Sequence, residues 1–216
     1  MQNQSENQEG EEVIVKRLEG EEISEHLDAI FRLRISVFRE FPYLYDGDME
    51  YERNYLSNYA TNPLSVLVVA RDGDELVGCS TGMPLVDSDK AFVKPIKEAG
   101  YNPEKVYYFA ESVLKEGYRG RGIGTRFFEE REAHVESIGT FDWIGFAAVD
   151  RREDHPLRPE DYHSHEEFWK RRGYKPYPEL KARFKWKQIT ASPDEDSVDR
   201  FHTLSYWLKP VATTEP

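Results

Sequence analysis

Tyr107-Tyr108-Phe109-Ala110-Glu111-Ser112-Val113-Leu114-Lys115-Glu116-Gly117-Tyr118-Arg119-Gly120-Arg121-Gly122-Ile123-Gly124-Thr125 is the stretch that decides the fold. Val106 to Leu114 reads as a strand, because β-branched and aromatic side chains suit a half-buried pleat. A basic, glycine-rich loop follows, and Gly122 to Ile138 opens a helix with Ile123, Phe127, Phe128, Val135 and Ile138 near one face. Glycines leave backbone N–H groups unobstructed, the helix N-terminus adds partial positive charge, and Arg119 and Arg121 add full charges. Together these are the parts of a pyrophosphate cradle. Gly120, Gly122 and Gly124 give G-x-G-x-G, which is not the dinucleotide fingerprint, and no Gly-Lys-Ser/Thr of a P-loop occurs. A plain glycine turn with a solvated arginine pair is the alternative; the strand before and the helix after favour the cradle.

Working outward, Ser65–Arg71 and Glu75–Thr81 flank Asp72-Gly73-Asp74, a hairpin turn signal. Residues 88–105 allow a short helix. Further upstream, Val13 to Leu18 reads as a strand. Ile23, Leu27, Ile30, Phe31, Ile35 and Phe38 recur at helical spacing, and Pro42 stops that helix. Met49, Arg53, Leu56 and Tyr59 suggest a second helix. Downstream, Trp143 to Val149 is a strand. Ser164 to Arg172 is a short helix, with Ser164 and Glu167 as a capping box and Gly173 as its C-terminal cap. Phe184 to Ile189 and His202 to Leu208 are the last strands. The order β-α-α-β-β-(x)-β-α-β-α-β-β predicts a layered α/β (α+β) domain.

The chain has 216 residues, 38% apolar and 13% aromatic, enough for a core and too rich for a disordered protein. Lys and Arg number 29 against 41 Asp and Glu, a net charge of −12. That balance argues against nucleic acid and anionic membranes as partners. Cys79 is the single cysteine, which excludes an internal disulfide and fits a reducing compartment. The N-terminus lacks a signal-peptide pattern and no apolar run reaches the length of a membrane span, so a cytoplasmic location is expected. His163 and His165 alternate beside Glu166, but no third ligand is evident, and no metal is expected.

Tyr118-Arg119-Gly120-Arg121-Gly122-Ile123-Gly124, at this strand–helix junction and in this element order, resembles the GNAT superfamily of acetyl-coenzyme A dependent N-acetyltransferases. The family carries Arg/Gln-x-x-Gly-x-Gly/Ala here, matched by Arg119, Gly122 and Gly124. The likeness spans about residues 13–189. It implies a mixed, mostly antiparallel sheet with a splayed strand pair, flanked by about four helices. Residues 1–12, polar and acidic, read as a disordered tail and 211–216 as a short tail; with no other candidate boundary, 13–210 is expected to form one domain. The implied reaction moves an acetyl group from acetyl-CoA to a primary amine of a small molecule or peptide. A homodimer is allowed but not required.

Carried over by position, the resemblance implies that backbone groups of Ser112, Val113 and Leu114 meet the pantetheine arm. Arg119, Gly120, Arg121, Gly122, Ile123, Gly124 and Thr125 would hold the pyrophosphate. Glu111 and Asp150 are the candidate bases. Strict alternation points Glu111 away from Leu114, with Phe109 and Val113, unless a bulge reverses that parity; pairing with Arg34 is its structural alternative. Arg34, Phe38, Tyr43, Tyr45 and Asp46, with Asp48, lie where the family builds its acceptor site; core packing and helix capping are the alternative for Phe38, Tyr43, Asp46 and Asp48. The family's tyrosine acid falls on Trp169, and indole cannot serve as an acid. A non-catalytic acyl-CoA binding module on the same fold is therefore the rival reading, and a domain using the basic loop for another phosphate ligand is a second.

Overall fold

The structure, a computed structural model, describes residues 12–18, 21–192 and 195–212. Most of the expected acidic tail, Pro193 and Asp194 between the last two strands, and all but 211–212 of the expected C-terminal tail lie outside the described residues. In chain order the elements are β1 (Ile14–Leu18), α1 (Glu21–Phe38), α2 (Met49–Thr61), β2 (Val66–Asp72), β3 (Glu75–Pro84) and α3 (Lys90–Glu98). They continue with β4 (Val106–Tyr108), β5 (Ser112–Leu114), α4 (Ile123–Ile138), β6 (Trp143–Val149), α5 (Glu166–Arg171), β7 (Lys175–Gln188) and β8 (Val198–Pro210). The sheet order is β1-β2-β3-β4-β6-β8-β7, and β5 pairs with β3. Among the described residues only β4 and β6 pair in parallel.

β2 explains the layering. Its run Val66-Leu67-Val68-Val69-Ala70 is buried on both faces, as a central strand requires. Leu67 and Val69 pack with Ile30, Phe31 and Leu56 of α1 and α2. Val66, Val68 and Ala70 face the opposite way, into Phe127 and Phe128 of α4. A third cluster fills the other half of the sheet, where α3 brings Ile96 against Val106, Leu204 and Tyr206. The 88–105 segment does supply a helix, begun by the Asp89 side chain, which accepts the Ala91 N–H at 2.8 Å. The Asp72–Asp74 signal forms its hairpin with Gly73 at φ 53°. No helix among the described residues is long and apolar enough to cross a membrane.

Two local expectations are corrected. Ser164 does not cap through the third helical residue: its Oγ accepts the Glu166 N–H at 3.1 Å, because α5 starts one residue later than the box requires, with His165 at the N-cap. More consequentially, Val106–Leu114 is not one strand. β3 pairs Met83 with Tyr108 but Ser80 with Ser112. Thr81 and Gly82 therefore face three residues, Phe109, Ala110 and Glu111, and the surplus residue makes a bulge. Arg131 of α4 fastens it. Its guanidinium donates to Thr81 O at 3.1 Å, Glu111 O at 3.2 Å and Ser112 Oγ at 2.9 Å.

Candidate active site

The bulge sets which side chains share a face. Tyr107 and Phe109 pack toward α4, and so does Leu114. Val113 packs toward α1 and α2, and Glu111 meets Arg34 on that same side. Glu111 thus lies opposite Leu114 and with Val113, as alternation predicts. The bulge acts one step earlier and moves Phe109 to the other face.

It also opens the sheet. β4 hydrogen-bonds to β6 as far as Phe109 N–H to Gly145 O, at 2.8 Å. Beyond that point β5 stays with β3 and β6 stays with β8, so the two strands diverge. On β5, Thr81 N–H bonds Glu111 O and Lys115 N–H bonds Val77 O. Antiparallel bonding alternates, so Ser112 and Leu114 turn their backbone groups to the open edge, while Val113 turns its own to β3. An extended ligand could add to that edge as a strand does.

At the far end of β5 lies the glycine loop. The first α4 bond is Arg126 N–H to Gly122 O at 3.2 Å, so the amides of Ile123, Gly124 and Thr125 have no partner within the helix. Gly120 and Gly122 hold φ of 76° and 80°, the left-handed region where a side chain would be strained. A Cβ at 120, 122 or 124 would meet nothing within 4 Å, so the loop's surface is open. Arg121 lies over the Tyr118 ring at 5.0 Å. Arg119 donates to Leu114 O at 3.2 Å and to Glu40 at 2.6 Å.

The other pole is buried. Arg34, Glu52 and Glu111 are 5%, 0% and 8% exposed. Arg34 Nε donates to Glu52 Oε2 at 2.5 Å, and its NH1 contacts Glu111 Oε1. One guanidinium serves two carboxylates. Tyr43 lies close by, and burial, aided by the Glu111 charge, raises its phenol to about 12. Burial also pushes the Cys79 thiol up, keeping it protonated at neutral pH.

The remaining predicted residues separate. Asp150 ends β6 on the α4 side of the sheet, where it accepts from Lys181 at 2.7 Å and Ser205 at 2.6 Å. Phe38 is core, with its ring 4.6 Å from Tyr43. Tyr45 bridges to Gln188. Asp46 faces outward to Arg39 at 2.7 Å, and hydrogen bonding from Ser197, then Arg39, holds its carboxyl below the ordinary value. Asp48 starts α2 by accepting the Glu50 N–H at 2.9 Å. Trp169 packs between Phe146 at 4.9 Å and Trp207 at 5.0 Å. Glu52 and Arg131 were not anticipated. The signal was available: each is a charge set at helical spacing among apolar residues, Glu52 between Met49 and Leu56, Arg131 between Phe127 and Val135.

The acetyltransferase (GNAT) family profile matches residues 27–174, from α1 through α5. The chain belongs to this family. Its fold is shared by solved structures of low identity. YncA of Salmonella typhimurium, solved with acetyl-CoA, has a TM-score of 0.58 at 9% identity, covering 95% of this chain and 97% of its own. A GNAT-family acetyltransferase of Staphylococcus aureus Mu50 has a TM-score of 0.57 at 13% identity, with 92% and 100% covered. An aminoglycoside 6'-N-acetyltransferase solved with coenzyme A has a TM-score of 0.56 at 18% identity, with 94% and 99% covered. No curated protein matches the sequence. The acetyltransferase family and its mixed sheet with a splayed strand pair are thereby established for this chain.

Proposed function

We propose that residues 13–210 act as one acetyl-CoA dependent N-acetyltransferase domain whose acceptor is a primary amine of a small molecule or peptide. The observation that carries this is the opening between β5 and β6, which ends at a helix N-terminus of free amides on one side and at buried Glu111 on the other. Acetyl-CoA would lie with its pyrophosphate on Arg119–Thr125 and its arm along Ser112 and Leu114. The Leu114 N–H would donate to the thioester oxygen as negative charge develops. An aliphatic amine, with a pKa near 10.4, must shed a proton before attack. Glu111, on the acceptor side, takes that proton directly or through water. Asp150, already satisfied by Lys181 and Ser205, is the weaker candidate.

Thiol release from acetyl-CoA against a panel of amines tests the reading. Glu111→Gln keeps the shape and removes the charge. Its kcat/KM should fall by about 10²–10⁴-fold at neutral pH, the usual size of general-base help, with CoA affinity unchanged. The deficit should narrow as pH rises and more amine is already neutral. Trp169 in the place of the family's acid supports the rival of a binding-only module; CoA binding without thiol release from any amine would decide for it.

A further inference from the structure

Beyond Asp150 the chain turns into the 151–163 segment, which leans on the acceptor side. Arg151 donates to Pro42 O at 2.6 Å and to Tyr43 O at 2.9 Å, and the Phe41 and His155 rings are 5.7 Å apart. Between this segment and the end of the β7–β8 hairpin runs a groove of about 460 Å³. Its charged and amide or imidazole lining is Arg152, Asp154, His155, Gln188, Glu195 and Arg200. A wall of rings joins it to the catalytic end: Tyr43 is 6.2 Å from Trp186, which stacks on His202 at 3.6 Å.

In a chain of net charge −12, the groove's lining is balanced, with Arg152 and Arg200 against Asp154 and Glu195. Asp154 is taken up by Arg152 through two bonds of 2.8 and 2.6 Å. Arg200 reaches no carboxylate among the described residues. Behind the groove stands Arg151, whose guanidinium is held by the Pro42 and Tyr43 carbonyls. Both nearby histidines register it. Burial, then Arg151, pushes His155 down, and burial, then Arg151 and Arg200, lowers His202 to about 4. A second observation concerns hydrogen bonding. Gln188 is 6% exposed, and its Oε1 has no donor among the described residues. A buried acceptor without a donor is costly, so a ligand N–H here would be favoured.

We propose that this groove holds the far end of the acceptor, and that this end is a carboxylate beside a peptide-type N–H, as at the C-terminus of a short peptide. The proposal rests on the transferase reading and adds the class of amine. Arg200, which has no carboxylate partner among the described residues, pairs with the ligand's carboxylate. Gln188 accepts the N–H, and the free amine at the other end reaches toward Glu111.

The test compares glycine, diglycine, triglycine and tetraglycine, each as the free acid and as its amide. At the best length the acid should exceed the amide in kcat/KM by about tenfold or more, the effect of one charge-assisted hydrogen bond. Arg200→Gln should bring that ratio to near one while the Kd for CoA is unchanged. Gln188→Leu should weaken the peptides but not aminopentanoate, which has a carboxylate and no amide N–H. Equal turnover of acids and amides, or a ratio that survives Arg200→Gln, overturns the subsite and leaves the transferase reading standing. If no amine releases thiol, the transferase reading fails. Calorimetry of the same acids and amides on the CoA complex then decides the subsite: preference for acids upholds it, and equal or absent binding overturns it.

Discussion

The two poles of the site are built in opposite ways. Around Arg34, Glu52 and Glu111 the protein surrounds charge with apolar side chains and fixes each group by a partner. Around Gly120–Gly124 it withholds side chains and leaves backbone amides facing outward. At the first pole, geometry is maintained by the cost of leaving a buried charge alone. At the second, affinity comes from a field and from room for backbone to approach an anion. Loss of the shared guanidinium at the buried pole should therefore act on folding first, and a substitution at the open pole on ligand first.

The largest expected effect breaks the buried pole. Arg34→Met is close in volume but leaves Glu52 and Glu111 without their guanidinium. Removing one partner of a buried ionic group costs about 3–5 kcal/mol, so the midpoint of chemical denaturation should drop accordingly. Removing the carboxylates as well, in Arg34→Met with Glu52→Gln and Glu111→Gln, should recover part of that loss. A single variant less than about 1 kcal/mol below the native protein would show that the cluster is not the anchor it is taken to be.

The middle effect separates the poles. Gly124 lies in the first turn of α4, without a positive φ and with open space where a Cβ would sit. Gly124→Asp places a negative charge at the helix N-terminus, which favours the helix by about 0.3–1 kcal/mol. The same charge repels a pyrophosphate. Stability should hold or rise while CoA affinity falls by about tenfold, roughly 1.4 kcal/mol. Gly122→Val, at φ 80°, should lose both, since a left-handed backbone costs a side-chain residue about 1–2 kcal/mol. Calorimetry beside thermal unfolding checks the pair. Native affinity in Gly124→Asp would remove the loop from the binding site.

The two poles were also unequally legible in sequence. The loop is local: strand, glycines, arginines and helix are contiguous, so residues 112–138 could be read without knowing the fold. The buried cluster is assembled from α1, α2 and the bulge, and Arg34 and Glu111 are 77 residues apart. Arg34 can be suggested as a partner for Glu111, but helical spacing does not choose between Glu52 and Arg53: both fit the three-and-four steps between Met49, Leu56 and Tyr59, and the structure buries Glu52 while Arg53 is exposed. The bulge was open to conjecture, not to placement. One surplus residue among Phe109, Ala110 and Glu111 is fixed by the pairing of β3 and by Arg131, neither of which is local to the strand. The element order came through since each strand and helix carries its own period; the pairing register did not.

The smallest effect lies where the poles are joined. Arg119 of the loop pairs with Glu40, just past the end of α1, and both side chains are 44% exposed. An exposed pair of this kind contributes about 0.2–1 kcal/mol, so Glu40→Gln should barely change unfolding. Its effect should appear in binding. A pyrophosphate and Glu40 compete for one guanidinium, and removing the weaker anion frees Arg119 for the stronger. CoA affinity should then rise by no more than the worth of the pair, roughly up to fivefold. The gain is electrostatic and near the surface, so it should vanish at about 1 M salt, where the screening length is near 3 Å. Arg119 also donates to Leu114 O through Nε, a bond that Glu40→Gln leaves in place. Hence a fall in affinity would have one meaning: Glu40 aims Arg119 at the cofactor instead of competing for it, and the acceptor helix supports the open pole as well as the buried one.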